Sequence, residues 1–115
     1  MEAVMIFGEE VPAVDAAAVP DNAYLLDVRE PDEWQAGHIP DAVHIPMGQL
    51  SERANEIPRD SDVYVVCRSG ARSAQVTVAL NNAGWQARNV DGGMQRWAEV
   101  AKPMVSETGS TPYVA

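Results

Sequence analysis

Short apolar runs recur along the chain, separated by amphipathic stretches and by prolines and glycines. This spacing is that of an α/β domain with a largely parallel sheet. Tyr24–Val28 (YLLDV) is a continuous apolar run ending in Asp and Arg, and it predicts a central strand. Pro31 then suits the first turn of a short helix over Asp32–Ala36, closed by Gly37. Ala42–Ile45 is a second strand, fenced by Pro40 and Pro46, and Gln49–Glu56 an amphipathic helix stopped by Pro58. Asp62–Val66 (DVYVV) predicts the next strand, with Cys67 at its carboxyl end. Ala71–Ala83 follows as a helix, with Gly84 at the position of a left-handed cap. Gln86–Val90 and Gly93–Ala101 predict a last strand and helix. Upstream, a short edge strand is expected around Glu10–Pro12 and a small helix near Val14–Ala18. Beyond Pro103 the pattern fades, and the polar, small Ser106–Thr111 stretch points to a flexible tail. The expected organisation is one domain over residues 1–104 and a tail over 105–115.

The length of 115 residues suits a single domain, since domains commonly run to about 100–150 residues. Hydrophobic residues at 46% suffice to bury a core. No apolar run approaches the roughly 20 residues that cross a bilayer, and the start lacks the basic and apolar regions of a secretory signal. A cytoplasmic home is therefore expected. The net charge of −9 repels phosphate backbones and anionic lipid, so neither nucleic acid nor membrane is an expected partner. A single cysteine excludes an internal disulfide and a multi-thiolate zinc site. With two histidines only, His38 and His44, no metal and no cofactor is expected.

The chemistry concentrates in Cys67-Arg68-Ser69-Gly70-Ala71-Arg72-Ser73, which joins a strand's carboxyl end to a helix's start. In open α/β sheets that edge is where ligands bind. Helix N-termini present unpaired N–H groups and partial positive charge, which welcome an anion. Gly70 permits the positive φ of a tight loop whose amides point inward as a nest. Arg68 and Arg72 add two permanent charges. The same features act on the thiol, which in free cysteine titrates near ~8.5. Lowering that by about two units requires roughly 2.7 kcal/mol. An exposed helix dipole contributes only ~0.3–1 kcal/mol. Hydrogen bonds to a charged acceptor, about 1.5–3 kcal/mol each, close the gap if loop amides reach the sulfur. A lone cysteine ending a buried strand is otherwise a small hydrophobe; the arginines, the glycine and the following helix favour the reactive reading.

Three stretches carry a resemblance to the rhodanese family: LLDVREPDEWQAGHIPDAVHIP (Leu25–Pro46), VYVVCRSGARS (Val63–Ser73) and VDGGMQRW (Val90–Trp97). The resemblance implies a three-layer α/β sandwich with a sheet of about five mostly parallel strands flanked by helices. It further implies a thiosulfate sulfurtransferase. Cys67 takes sulfane sulfur from a small anionic donor, and the persulfide is attacked by cyanide, a thiol or a sulfur-acceptor protein. Cys67 matches the persulfide-forming cysteine. Arg68, Ser69, Gly70, Ala71 and Arg72 match the rest of the six-residue loop, and Ser73 lies where its hydroxyl adds a further hydrogen bond. Arg68 and Arg72 suit the doubly charged thiosulfate. A monomer or weak homodimer is expected.

Other residues receive structural readings. Asp27 and Arg29 are expected to tie neighbouring loops together; orienting the loop arginines is the alternative. Glu33 falls in the short helix, and Trp34 and Trp97 are expected as core anchors. Trp85 is expected over a helix cap, His38 as fixing a turn, and Gly92-Gly93 as turn geometry. Two rivals differ in class. Cysteine phosphatases of the same fold carry Cys-x5-Arg, whereas Arg72 stands five positions after Cys67, leaving the cradle one residue short for a tetrahedral oxyanion. A docking module of this fold commonly lacks the cysteine, which this chain keeps. Delivery of sulfur to a basic partner protein, steered by the acidic surface, is a variant of the first reading.

Overall fold

A computed structural model of the chain describes residues 2–6 and 9–115, with side chains from Val11 onward. Six strands form one sheet in the order β1-β2-β6-β5-β3-β4. They are β1 (Glu2–Ile6), β2 (Glu9–Asp15), β3 (Tyr24–Asp27), β4 (Val43–His44), β5 (Asp62–Val66) and β6 (Gln86–Asp91). The strands β2 to β6 pair in parallel throughout, which is the five-stranded parallel sheet expected. β1 adds an antiparallel hairpin partner outside β2, so β2 is longer than the expected edge strand and is covered on both sides.

Continuous apolar runs become strands here because both sheet faces are buried. Successive side chains point to opposite faces, so a doubly covered strand needs apolar residues at every position. Leu26 and Val65 enter one core with Val28, Ile45, Val63, Val76 and Leu80. Their chain neighbours Leu25 and Val66 enter the other, with Ala16, Ile39, Val90, Met94 and Trp97. Each such side chain contributes about 1.5–3 kcal/mol when fully buried. The first core is roofed by α2 (Leu50–Arg53) and α3 (Ala71–Asn82), and the second by α4 (Gly93–Glu99), which gives three layers.

The helices follow their local signals. α1 (Pro31–Ala36) starts on Pro31, with Glu30 and Glu33 forming a reciprocal capping box. The expected helix over Gln49–Glu56 is broken into α2 between two 3₁₀ turns, Met47–Gln49 and Ala54–Glu56. The expected helix near Val14 is only a 3₁₀ turn over Ala16–Ala18, because β2 runs on to Asp15, whose carboxylate caps it. Gly84 takes φ +99° after α3, as its cap position requires.

The segment 105–115, expected as a flexible tail, lies against the domain. Val105 and His38 exchange main-chain hydrogen bonds (2.9 and 2.8 Å), and the Tyr113 amide donates to Ala36 O at 3.1 Å. Val114 and Met104 pack on the Met94–Trp97 core. Its composition is polar, but its main-chain donors find acceptors on the α1–β4 connection, which sequence does not display. Among the described residues no helix is long and apolar enough to cross a membrane.

Candidate active site

The parallel order places the carboxyl ends of β3, β5 and β6 side by side, so the starts of α1, α3 and α4 converge around the end of β5. Cys67 leaves β5 there and is wholly buried, at 0% exposure. The loop folds back on its sulfur. The Gly70 amide donates to Sγ at 3.1 Å, the Ser73 amide at 3.4 Å, and the Ser73 hydroxyl at 3.3 Å. Gly70 makes this turn possible with φ +106°, a left-handed conformation that a β-carbon disfavours. Burial pushes the Cys67 thiol up. The Ser73 hydroxyl and the amides of Ser73, Gly70 and Ser69 outweigh it, leaving the thiol below its ordinary value.

The loop's carbonyls are turned the other way. Met94 N donates to Cys67 O at 2.8 Å, and Gln95 N to Arg68 O at 3.0 Å. α4 therefore uses its unpaired N-terminal amides to hold the outside of the nest while the nest's own amides face the sulfur. This approach needs Gly93, because a β-carbon there would lie 2.5 Å from Cys67 O and 2.7 Å from Arg68 O. Gly92-Gly93 is thus part of the loop's support as well as a turn.

Asn89 is a site residue that motif reading leaves out. It is 2% exposed on β6. Its Oδ1 accepts from the Ser73 hydroxyl at 2.5 Å, and its Nδ2 donates to Gly70 O at 3.2 Å. One buried side chain therefore fixes both donor residues of the nest. Ser73 has a single hydroxyl proton, so its donation to sulfur competes with donation to Asn89, whereas each main-chain amide of the nest carries its own proton. The available signal was a polar residue in register with Ala87 on an apolar strand face, since a buried amide demands partners.

The two arginines are placed differently from expectation. Arg72 forms a forked pair with Glu33, both contacts at 2.9 Å. Those hydrogen bonds outweigh desolvation and hold the Glu33 carboxyl down to about 2. A depressed carboxylate contributes above its ordinary titration range and loses its contribution as pH falls toward the lowered value. The clamp between α1 and α3 therefore persists through neutral and mildly acidic pH. Arg72 retains an electrostatic interaction with Cys67. Arg68 is exposed and its Nε donates to the main-chain oxygen of Ala115 at 3.0 Å. Neither guanidinium stands free for an anion in this conformation. Ser69 and Ala71 lie exposed on the loop's outer side.

Asp27 and Arg29 take the structural role. Both are 0% exposed, joined through Nε–Oδ1 at 3.0 Å and Nη2–Oδ2 at 2.8 Å. Arg29 also donates to Glu33 O and Gly37 O, at 3.3 and 2.8 Å, tying both ends of α1 to β3. Trp34 is half-buried and not a core anchor. Its ring stacks on His38, with centroids 3.5 Å apart, and on His44, at 4.7 Å. His38 fixes its turn through Nδ1 against Ile39 O, and Nε2 meets Glu107 at 2.9 Å. Trp97 and Trp85 are buried, and Trp85 donates to Ile57 O beneath the Arg59 guanidinium.

Known proteins resemble this chain in sequence and in fold. Residues 13–100 match the Rhodanese-like domain family. A sulfurtransferase of Allochromatium vinosum is 41% identical over 90 residues, covering 77% of this chain and 84% of its own. The thiosulfate sulfurtransferase GlpE of Pseudomonas syringae is 32% identical over 91 residues, 77% of this chain and 86% of its own. Among solved structures, a rhodanese-related protein from Thermoplasma volcanium superposes with a TM-score of 0.78 at 35% identity, covering 82% of this chain and 97% of that one. With residues 13–100 of its 115 matched by the family and its fold shared with a rhodanese-related neighbour, the chain belongs to the family of rhodanese-like domains.

Proposed function

We propose that the protein is a thiosulfate sulfurtransferase that carries sulfane sulfur on Cys67. The observation that supports this most is the convergence of the Gly70 and Ser73 amides on one sulfur. The Cys67 thiolate attacks the outer sulfur of thiosulfate. A sulfur–sulfur bond forms to Cys67, the bond within thiosulfate breaks, and sulfite departs with the bonding pair. Charge balances, with three negative charges before and after. The persulfide is itself an anion, so the amides that favour the thiolate also favour the intermediate. Cyanide then removes the terminal sulfur as thiocyanate and regenerates the thiolate; a thiol or a sulfur-acceptor protein is the physiological counterpart. With no second cysteine in the chain, no internal disulfide resolves the persulfide and the sulfur leaves to an external acceptor.

A six-membered nest that seats one sulfur, with Arg72 turned to Glu33, argues against phosphate-ester hydrolysis. Intact-mass measurement after thiosulfate treatment is the test. One added sulfur atom per chain, lost on addition of cyanide, is expected. An unchanged mass at thiosulfate concentrations that load other sulfurtransferases overturns the assignment.

A further inference from the structure

Ser73 Oγ lies between two acceptors, Cys67 Sγ at 3.3 Å and Asn89 Oδ1 at 2.5 Å, and carries one proton for both. All three side chains are buried. The heavy atoms around the hydroxyl are held from outside. Thr77 Oγ1 donates to Ser73 O at 2.8 Å, and the Ser73 amide lies on the sulfur. Gly70 O can only accept, and it receives the Asn89 Nδ2 at 3.2 Å. That contact settles which end of the Asn89 amide faces Ser73, so Oδ1 can accept from the hydroxyl but not donate to it. What stays free is the rotation of one hydrogen.

Its two positions suit two states of the sulfur. A neutral thiol brings its own proton, which it donates weakly to Ser73 Oγ while the hydroxyl donates to Asn89 Oδ1. Every acceptor in that chain is then satisfied. A thiolate, whose proton has gone to solvent, offers only lone pairs, and these repel those of Oγ until the hydroxyl turns. Turned to sulfur, the hydroxyl makes a charge-assisted bond. Asn89 Oδ1 then loses that donor at a buried position, which opposes the turn. Burial pushes the Cys67 thiol up, and among the groups that pull it down the Ser73 hydroxyl stands first. Its share is therefore divided with Asn89.

We infer that Asn89 is a positioning residue: its Oδ1 holds the Ser73 hydroxyl whenever the Cys67 sulfur is uncharged and yields it when that sulfur is anionic, so Asn89 limits how strongly the nest holds the thiolate. Loading with sulfur places the thiolate's electron pair in the new sulfur–sulfur bond, and the hydroxyl returns to Asn89. When an acceptor takes the outer sulfur, the bonding pair goes back to Sγ and the hydroxyl turns again. A thiolate held too firmly is a poorer nucleophile, which gives the limit a use in the first of these steps. The catalytic meaning of this inference rests on the sulfur-carrying reading of Cys67.

The charged groups packed around the loop already have partners or face solvent. Asp27 on β3 closes on Arg29, and Arg96 on α4 pairs with Asp15. Glu33 on α1 holds Arg72 of α3, the guanidinium that interacts electrostatically with Cys67. Arg68 and Asp91 are exposed. Ser73→Ala leaves each of these charges in place, so a change it causes belongs to the hydroxyl.

The test follows the 13C resonance of the Asn89 side-chain carbonyl across pH, beside the thiolate absorbance of Cys67. In the native protein the resonance should step at the midpoint of the absorbance, because Oδ1 loses its donor as the thiolate forms. In Ser73→Ala the thiolate midpoint should rise and the carbonyl step should shrink to a minor fraction. No step in the native protein, or an equal step in Ser73→Ala, would overturn the inference. Asn89→Leu supplies a second reading. With Oδ1 gone the hydroxyl belongs wholly to sulfur, so Ser73→Ala should raise the midpoint further in that background than in the native one. An equal rise in both would overturn it as well, and the native titration decides alone if Asn89→Leu does not fold. A hydroxyl that turns in a protein gaining no sulfur from thiosulfate would leave the Asn89 role standing and remove the sulfurtransferase reading. Sulfur gained without a carbonyl step would do the reverse.

Discussion

Arg29→Ala is expected to lower the unfolding free energy by about 3–5 kcal/mol, the cost of leaving a buried charge without its partner. Asp27 is 0% exposed and receives the Arg29 Nε and Nη2 as well as the Arg29 amide. Removing the guanidinium strands that carboxylate and also frees the carbonyls of Glu33 and Gly37. Against a typical total of about 5–15 kcal/mol, the loss brings a domain close to unfolding. A urea midpoint measured by circular dichroism reads the effect. The contrast that isolates the mechanism is the double variant Asp27→Leu with Arg29→Met. Apolar replacement of a buried pair is often neutral, so the double should be more stable than Arg29→Ala alone. Equal or greater loss in the double would show that the carbonyl bonds, and not the stranded charge, dominate.

Cys67→Ser is expected to abolish sulfur loading while leaving stability within about 1 kcal/mol, since surface area and rotamer change little on swapping one atom. A serine hydroxyl placed among the Gly70 and Ser73 amides would accept the same hydrogen bonds, so the nest stays satisfied and the fold has no reason to change. The hydroxyl neither ionises near neutrality nor carries sulfane sulfur as a persulfide. Thiocyanate production from thiosulfate and cyanide should fall to the level without protein. Residual turnover with intact folding would place the reacting sulfur elsewhere, and the nest would then be a structural turn.

The sequence made these two sites unequally visible. β3 and β5 are legible because strands buried on both faces leave an unbroken apolar run, as in YLLDV and DVYVV. The Cys67 loop is legible because all its donors lie within seven consecutive residues. The pairing of Glu33 with Arg72 joins positions 39 residues apart, and no periodicity links them. The local sequence therefore points Arg72 at an anion, whereas the fold pairs it with the Glu33 carboxylate. Asn89 carries a faint mark, a polar residue on an apolar strand face, whereas the docking of the segment 105–115 on the domain carries none. Its polar composition is that of a tail, and its attachment depends on acceptors along 35–38 and on the empty space at Gly37. Trp34 reads as a core residue because it is large and apolar, but its partners are two imidazole rings whose positions only the fold supplies.

Sulfur carriage on Cys67 requires that the loop make ionised sulfur favourable at the end of β5 despite complete burial. Thiolate absorbance followed across pH tests it most directly, because light absorption requires no reagent to reach the buried sulfur. The Cys67 transition is expected below that of an ordinary thiol, in the direction the Ser73 and Gly70 donors impose. A transition at or above that value would mean that desolvation outweighs the nest, and the thiolate chemistry would lose its basis.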